Sequence, residues 1–250
     1  MSLPSVFTAR PITHRGLHDI NAGRAENSRK AFAAAMAHGY GIEMDIQISS
    51  DGVPMVFHDY DLGRLTDETG AVAQRSAAAL GRIALRHDGD GIPTLAEVLD
   101  QVAGAVPLLI ELKDQDGGLG TDIGPLSAAV AEVLRGYEGP AAVMSFNPHM
   151  VADLATHLPN VPRGITSGAY RAENWPTIRA EVRDRLREIP DYDRTGSCFV
   201  SYRDTHLDHP RIAELKAKGA TILCWTVRSK EAETAARRYA DNITFEGYLA

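Results

Sequence analysis

Short runs of β-branched and apolar residues alternate with alanine-rich amphipathic segments along the whole chain. This alternation is typical of a parallel β-sheet in which helices connect successive strands. The pattern predicts eight strands, at residues 11–14, 41–48, 107–113, 141–146, 161–166, 198–202, 221–227 and 242–246. It predicts seven helices, at residues 27–38, 94–103, 121–135, 148–157, 175–188, 208–218 and 229–239. Asn27 or Ser28 is expected to cap the first helix, and Asp208 the sixth.

Eight strands with intervening helices in 250 residues are what a closed (β/α)8 barrel requires. An open doubly wound sheet usually needs fewer strands, and no glycine-rich dinucleotide or P-loop fingerprint follows the first strand. No linker or internal repeat divides the chain. We therefore predict an α/β protein with a TIM (β/α)8 barrel, formed by residues 1–250 as a single domain.

One interval interrupts the alternation between the second strand and the helix that opens at Thr94. The segment from Asp51 to Ile92 is too long for an ordinary strand-to-helix loop. Its pattern predicts an extra hairpin arm from Val53 to His58 and a short helix near Ser76 to Ile83. We expect residues 51–92 to form a small inserted subdomain at the C-terminal face of the barrel.

Composition and charge exclude several classes of protein. Apolar residues make up 44% and charged residues 24% of the chain, which excludes a disordered or fibrous protein. The net charge is -7 and no run of Lys or Arg exceeds two, so neither nucleic acid nor a membrane surface is an expected partner. Cys198 and Cys224 are too few for a disulfide framework and lack the paired spacing of a zinc site. Without a long apolar run or a signal-peptide pattern, the expected location is the cytoplasm.

Acidic side chains are concentrated on two of the predicted strands. In the second strand, Glu43, Asp45 and Gln47 alternate with apolar residues and therefore share one face. In a barrel this face points inward, although a half-solvated strand would show the same pattern. Glu111 and Lys113 favour the inward orientation, because they follow an apolar run typical of a buried strand. Converging carboxylates repel one another unless a cation joins them, and all-oxygen ligation suits Mg²⁺ or Ca²⁺ rather than zinc.

Two histidines end apolar runs that are directed toward the same mouth of the predicted barrel. His14 follows the first strand and His58 follows the hairpin arm, whereas the other histidines are expected to be surface or packing residues. Two imidazoles that titrate near neutral pH can divide acid and base roles. Arg15 and Lys113 add positive charge, which suits an anionic substrate, particularly a phosphate. The Glu26-Asn27 pair fits either this site or a helix cap.

Several motifs occur together in this chain, and jointly they are far more specific than any one of them. They are His14-Arg15-Gly16, Glu26-Asn27, Glu43-Met44-Asp45-Ile46, the stretch from Asp51 to Asp59, the stretch from Pro93 to Leu99, and Glu111-Leu112-Lys113. In these motifs and their order the chain resembles the glycerophosphodiester phosphodiesterase family, and the match ends near Trp225-Thr226-Val227. The resemblance implies a TIM-type barrel with an insertion after the second strand and one divalent cation, Mg²⁺ or Ca²⁺. It also implies hydrolysis of a small-molecule glycerophosphodiester to glycerol 3-phosphate and an alcohol.

The same resemblance implies roles for individual residues. Glu43, Asp45 and Glu111 fall on the metal ligands, and His14 and His58 on the acid/base pair. The implied substrate-binding residues are Arg15, Lys113, Asn27, Asp59, Phe146 and Trp225, with a core role as the alternative for the two aromatic residues.

Two segments depart from the family pattern. The last strand runs from Ile243 to Tyr248 with Glu246 and no proline, where the family usually has a Thr-Asp-x-Pro-like turn. The first helix begins with the polar segment Glu26 to Lys30 instead of a threonine-rich, apolar one. These departures leave the metal and acid/base positions intact and concern the specificity for the alcohol and for glycerol.

Two other functions are compatible with these residues. A phospholipase D-like transferase, as in the related sphingomyelinase D toxins, would form a cyclic phosphate by intramolecular attack. Those toxins are secreted and disulfide-bonded, whereas Cys198 and Cys224 lie on neighbouring predicted core strands. A non-catalytic phosphate-binding barrel is disfavoured, because a binder has no use for an acid/base pair. The sequence therefore predicts a metal-dependent hydrolase, and turnover of glycerophosphocholine with and without chelator discriminates among the three.

Overall fold

The computed structural model describes residues 1–250 and contains one sheet of nine strands. Its strands are β1 (Ile12–Thr13), β2 (Gly41–Ile48), β3 (Pro54–Val56), β4 (Leu108–Leu112), β5 (Ala141–Ser145), β6 (Arg163–Ser167), β7 (Phe199–Arg203), β8 (Thr221–Val227) and β9 (Asn242–Phe245). All neighbouring pairs are parallel except β2 and β3. Because β1 pairs with both β9 and β2, the eight parallel strands close into a barrel. The predicted TIM-barrel fold is confirmed.

Nine α-helices accompany the strands, and all but the first, which precedes β1, lie between successive strands in the chain. They are α1 (Val6–Ala9), α2 (Arg29–Ala37), α3 (Ala77–Leu80), α4 (Leu95–Val102), α5 (Leu126–Leu134), α6 (Pro148–His157), α7 (Ala180–Arg187), α8 (Pro210–Ala217) and α9 (Lys230–Ala236). None of these helices has the length and apolar character that a membrane crossing requires.

Some predicted helix boundaries were wrong, for identifiable local reasons. Helix α5 begins at Leu126, not at residue 121, because Gly124 has φ 59° and Pro125 occupies the N-cap position. Helix α8 is capped by His209, not by Asp208, because Pro210 takes the first helical position. Its cap is the His209 ring, which accepts a hydrogen bond from the backbone N–H of Arg211.

Strand β2 shows how the barrel separates apolar from acidic side chains. All eight of its residues are buried, and Ile42, Met44 and Ile46 belong to the largest apolar cluster, between the barrel and its helices. Glu43 and Asp45 alternate with them and therefore point to the interior. Asp45 lies opposite Glu111 of β4 in the sheet register, which brings the two acidic strands together. The predicted inward orientation of these carboxylates is the one that the fold adopts.

The two ends of the barrel interior differ in character. Phe7 of α1 packs with Ile12, Phe199 and Leu223 in an apolar cluster inside the barrel near the N-terminal ends of the strands. The polar residues of β2 and those that follow β1, β3 and β4 line a cavity at the opposite end, toward the C-terminal ends of the parallel strands. In TIM barrels this is the end at which active sites are built.

The segment between β2 and α4 has a small apolar core of its own. Strand β3 returns antiparallel to β2, and α3 lies where the short helix was predicted. Met55, Phe57, Leu80 and Ile92 belong to this core, which is separate from the larger clusters around the barrel. The segment thereby forms a packed support for the residues that directly follow β3.

Candidate active site

The C-terminal ends of the strands bring most of the predicted site residues to one small cavity of about 50 Å³. It is lined by His14, Arg15, Glu43, Asp45, His58, Glu111, Lys113, Met144, Phe146, Ser201, Trp225 and Thr244. Of the predicted site residues only Asn27 and Asp59 are not part of this lining, and each is hydrogen-bonded to a residue that is.

Three buried carboxylates form the acidic wall of the cavity. One oxygen each from Glu43, Asp45 and Glu111 lies within 4.8 Å of the others. The Lys113 ammonium bonds Asp45 Oδ1 at 2.6 Å and also contacts Glu111 Oε1. Arg15 approaches from the other side, where its Nε lies 3.2 Å from Asp45 Oδ2. Lys113 and Arg15 neutralise only part of the acidic charge.

Burial and neighbouring charges shift the pKa values of two of these carboxylates in opposite directions. Burial, reinforced by Asp45 and Glu111, raises the pKa of Glu43 well above its ordinary value. Burial acts in the same direction on Asp45, but Lys113 and the other cationic groups around it hold the pKa of Asp45 well below its ordinary value. Glu43 is therefore the carboxylate whose charge is least compensated by this chain alone.

The donor set fits a hard divalent cation. Every potential ligand in this wall is a carboxylate oxygen, which suits Mg²⁺ or Ca²⁺. A cation would also supply the positive charge that Glu43 lacks. A second group of possible ligands, His14, His18 and Glu246, lies nearby. In that group Glu246 is already engaged by His14 and by Arg228, so the three carboxylates are the better fit.

Both histidines are held by a carboxylate at the same ring nitrogen. His14 Nδ1 lies 2.5 Å from Glu246 Oε2, and His58 Nδ1 lies 2.6 Å from Asp59 Oδ1. An Nδ1–H that donates to a carboxylate leaves Nε2 as the basic nitrogen of a neutral ring. Burial lowers the pKa of His14, as does Arg15, while Glu246 opposes them. His14 is therefore neutral near pH 7 and able to accept a proton.

Glu246 is the part of the site whose role the sequence left open. Besides His14, it bonds Arg228 Nε at 2.8 Å and lies 3.5 Å from His18 Nε2. Burial alone would raise its pKa, but the bonds from His14 and His18 keep the pKa of Glu246 below its ordinary value. Glu246 is therefore a charged carboxylate that faces the His14 ring. The only sequence signal was its place at the end of the last strand, where the usual motif is missing.

The residues around Glu26 form a support for the acidic wall and not a helix cap. Asn27 has φ 55° and donates from Nδ2 to Asp45 Oδ2 at 2.9 Å, while Ser28 caps helix α2. Arg64, from the segment after β3, bonds both Glu26 and Asp59. Burial would raise the pKa of Asp59, but His58 and Arg64 hold it below its ordinary value. These contacts link the two histidine-bearing halves of the site.

A wider groove of about 870 Å³ opens beside the small cavity and shares His58, Glu111, Lys113, Phe146 and Trp225 with it. Phe146 packs edge to face with Trp225 at 5.4 Å between ring centroids, so the two aromatic residues line the mouth. The groove residues that sequence reasoning missed include Tyr60, Trp175 and Arg203. Tyr60 and Trp175 come from loops, and Arg203 is the last residue of β7. At such positions nothing in the sequence pattern distinguishes a lining residue from a surface residue.

Comparison with known proteins identifies the family. A family model described as "Glycerophosphoryl diester phosphodiesterase family" matches residues 14–244. The chain belongs to this family. YhdW of Bacillus subtilis (strain 168), provisionally named a glycerophosphodiester phosphodiesterase, is 26% identical over 92% of this chain and 89% of its own length. The glycerophosphodiester phosphodiesterase of Caldanaerobacter subterraneus subsp. tengcongensis is 28% identical over 66% of this chain and 69% of its own length.

Solved structures of phosphodiesterases share the fold. A phosphodiesterase of Oleispira antarctica, in complex with the product sn-glycerol-3-phosphate, superimposes with a TM-score of 0.76 at 22% identity, covering 95% of this chain and 92% of that one. A glycerophosphodiester phosphodiesterase of Parabacteroides distasonis gives a TM-score of 0.75 at 21% identity, covering 95% and 94%. At these identities the likeness supports the barrel itself.

Proposed function

We propose that the protein hydrolyses glycerophosphodiesters to glycerol 3-phosphate and an alcohol. The observation that carries this proposal is the single cavity lined by two carboxylate-held histidines, three buried carboxylates and Lys113. The family and the names of its members support the same substrate class. A protein that only bound the phosphate would need the cationic groups around it but not a pair of oriented imidazoles.

One divalent cation, Mg²⁺ or Ca²⁺, completes the proposed site, held by Glu43, Asp45 and Glu111. When bound, such an ion supplies positive charge to a phosphate oxygen and stabilises the charge that develops at phosphorus. Lys113 borders both the small cavity and the groove, so its ammonium is placed to donate to the same phosphate. Arg15 provides the second cationic contact and holds Asp45 in position.

The two histidines divide the proton transfers. The neutral His14 takes the proton of the attacking hydroxyl at Nε2 while the new P–O bond forms. His58 lies where the small cavity meets the groove, so it gives a proton to the alcohol oxygen as the old P–O bond breaks. An alkoxide is too basic to leave without that proton. The attacking hydroxyl belongs to water or to the glycerol of the substrate. In the glycerol route a cyclic phosphate forms first, and water opens it in a second step in which His58 takes the proton of the water and His14 returns its proton to the departing glycerol oxygen.

Two diesters with different leaving groups test the division of labour. We expect His58→Ala to lower kcat/KM by about 10²–10⁴-fold on an alkyl diester and far less on a nitrophenyl diester, whose leaving group needs no proton. His14→Ala should impair both substrates comparably. Equal losses for both variants on both diesters would refute the assignment of acid and base, and full activity in both variants would refute the proposed site.

The remaining expectations stay proposals. We propose that residues 1–250 act as one domain to which the segment 51–92 contributes His58. We also propose a small-molecule substrate, with neither nucleic acid nor membrane as partner. The cytoplasmic location stays a prediction.

A further inference from the structure

A cavity of about 110 Å³ lies at the outer end of the groove and contains cationic side chains without any acidic one. Its lining is Phe146, Gly168, Ala169, Tyr170, Arg171, Asn174, Trp175, Arg203, Thr205, His206 and Trp225. The absence of Asp and Glu from this lining contrasts with the net charge of -7 of the chain. We call this space the outer cavity.

Neither arginine of the outer cavity is paired with a carboxylate. Arg203 is half-buried at the end of β7, and its guanidinium lies over the Trp225 ring, 5.5 Å from the centroid. Arg171 donates to His206 Nε2 at 3.1 Å, and Thr205 Oγ1 lies 2.8 Å from the other ring nitrogen of His206. Asp204 follows Arg203 in the chain but does not line the cavity. The positive charge of the cavity therefore has no counter-charge among its own walls.

The packing of the loop after β6 keeps these groups together. A Cβ added to Gly168 would lie 3.2 Å from Arg203 Cβ, so glycine at this position permits the close approach of the loop to β7. Arg187 donates to Ala169 O at 2.9 Å and anchors the loop from helix α7. The aromatic rings of Phe146, Tyr170 and Trp175 pack against one another beneath it. The loop that carries Arg171 therefore packs on an aromatic cluster, and Arg203 lies over the neighbouring Trp225 ring.

The outer cavity is continuous with the proposed reaction site on the side of the leaving alcohol. Phe146 and Trp225 line both the small cavity and the outer cavity, while Trp175 and Arg203 line the outer cavity and the groove. A quaternary ammonium group such as choline would meet aromatic faces here, but also two unpaired guanidinium groups that repel it. An anionic group would pair with both arginines.

From this arrangement we propose that the outer cavity binds a second anionic group, a phosphate or carboxylate, carried by the alcohol part of the diester. The proposal rests on the proposed hydrolysis of glycerophosphodiesters, because it concerns the leaving group of that reaction. It makes the protein selective for diesters whose alcohol is itself negatively charged. Diesters of neutral alcohols should be poorer substrates, and those of choline the poorest.

A matched substrate pair tests this selectivity. Glycerophosphoglycerol and its analogue with a phosphate on the terminal glycerol differ only in the group that the outer cavity would bind. We expect kcat/KM to be about 10–100-fold higher for the phosphorylated diester, because one charge-assisted hydrogen bond changes a rate by about this factor. Arg171→Gln and Arg203→Gln should each reduce this ratio to near one. Arg238→Gln, which removes an exposed arginine from the chain segment between α9 and β9, at the opposite end of the barrel, should leave the ratio unchanged.

The outcomes separate this proposal from the proposed function. Equal or lower turnover of the phosphorylated diester, or a ratio that survives both variants, would overturn the anion subsite while leaving hydrolysis established. If neither diester is turned over, calorimetry measures the binding of the two corresponding phosphonates. In these compounds a methylene replaces the scissile oxygen, so their binding tests the subsite without hydrolysis. Tighter binding of the phosphorylated phosphonate that is lost in Arg171→Gln would support the subsite without the hydrolysis, and equal binding would overturn it.

Discussion

At the scale of single residues, the site is organised by pairs in which one charged group fixes another. Each histidine has a carboxylate at Nδ1, and the carboxylates are in turn held by arginines. Such partners fix the tautomer of a neutral imidazole and stabilise its protonated form when it accepts a proton. Residues that do not touch the substrate therefore contribute to the proposed chemistry.

Glu246 gives the clearest test of this principle. We expect Glu246→Gln to lower kcat/KM by about 10–100-fold, because the amide no longer favours protonation of His14. The carboxylate also raises the pKa of His14, so its loss should move the acidic limb of the pH profile of kcat/KM to lower pH.

Arg228→Gln is the matched control, since Arg228 is mostly exposed and bonds the other oxygen of Glu246 without touching His14. It should change kcat/KM only slightly. A Glu246→Gln variant whose acidic limb does not move would show that Glu246 has a purely structural role.

Lys113 should prove important for stability as well as for turnover. Replacing it by Met leaves the buried carboxylates of Asp45 and Glu111 without their shared cation, and breaking such a buried pair costs about 3–5 kcal/mol. We expect the free energy of unfolding in chelator to fall by roughly that amount, as measured by urea denaturation. A divalent cation should recover more stability in Lys113→Met than in the unaltered protein.

The control for Lys113 is an exposed lysine in an ion pair. Lys216 bonds Asp241 at the surface, and Lys216→Met should cost less than about 1 kcal/mol. Similar losses for the two lysine variants would contradict the role of burial.

At the scale of elements, the segment between β2 and α4 positions His58, one of the two proposed catalytic groups, from outside the barrel. Arg64 is one of the contacts between this segment and the loop after β1, because it bonds Asp59 on its own side and Glu26 on the other. Arg64 is 46% exposed, so its ion pairs should contribute little to stability. We expect the ion pairs of Arg64 to act mainly on the position and orientation of His58.

We therefore expect Arg64→Ala to lower kcat by about tenfold with almost no change in Tm, because small displacements of a catalytic group are costly. Arg75→Ala removes an exposed ion pair with Glu68 inside the same segment and should leave kcat unchanged. Equal kinetic effects of the two variants would contradict a specific role for Arg64.

The fold of this segment depends on one close backbone contact. A Cβ on Gly91 would lie 1.8 Å from Gly81 O, a backbone atom that cannot move aside. Gly91→Ala should therefore destabilise the protein by about 1–3 kcal/mol, the usual cost of overpacking, and expose the segment to limited proteolysis.

Gly136→Ala is the control for Gly91→Ala, because nothing lies within 4 Å of the added Cβ there. It should be close to neutral. A protease-resistant Gly91→Ala variant with unchanged Tm would contradict the packing described here.

At the scale of the whole molecule, the mouth of the barrel is divided into two sides. Strands β1, β2 and β4 supply the histidine and carboxylates of the proposed reaction, while β5 to β8 and their loops supply the aromatic residues and unpaired arginines. In the proposed function, this division puts phosphate chemistry and recognition of the alcohol on different parts of one closed sheet.

The buried acidic wall should make the proposed cation binding pH-dependent. Because burial and its acidic neighbours raise the pKa of Glu43, the cation-free protein binds a proton there more tightly than the unfolded chain does. Glu43 thus favours folding below its ordinary pKa of 4.5, and this contribution is lost as pH rises through the raised value. A cation must displace that proton, so its affinity should increase as pH rises toward the raised pKa and then level off.

Calorimetry in buffers of different ionisation enthalpy measures this proton release directly. Glu43→Gln should weaken cation binding and reduce the number of protons released. An affinity that is the same from about pH 5 to about pH 8 would contradict the linkage. Excess chelator should abolish turnover of every diester, whichever cation the protein prefers.

The sequence by itself determined the barrel and most of the small cavity, because both follow from short-range patterns. Period-two alternation in β2 puts Glu43 and Asp45 on one face, and the apolar run before Glu111 indicates that this face points inward. The apolar runs that end in His14 and Glu111 also indicate which groups reach the mouth. Helix starts were less well determined where local backbone features competed, as Gly124 and Pro125 did before helix α5.

Only the tertiary structure decided which partners these groups meet. Glu246 contacts His14 across 232 residues of chain because β9 closes the barrel beside β1, and no local pattern records that neighbour. Arg64 and Arg203 look like ordinary surface arginines in the sequence, yet one bridges two loops and the other stands unpaired over Trp225. Periodicity fixes the face on which a side chain lies, whereas closure of the sheet and the paths of the loops fix what lies opposite it.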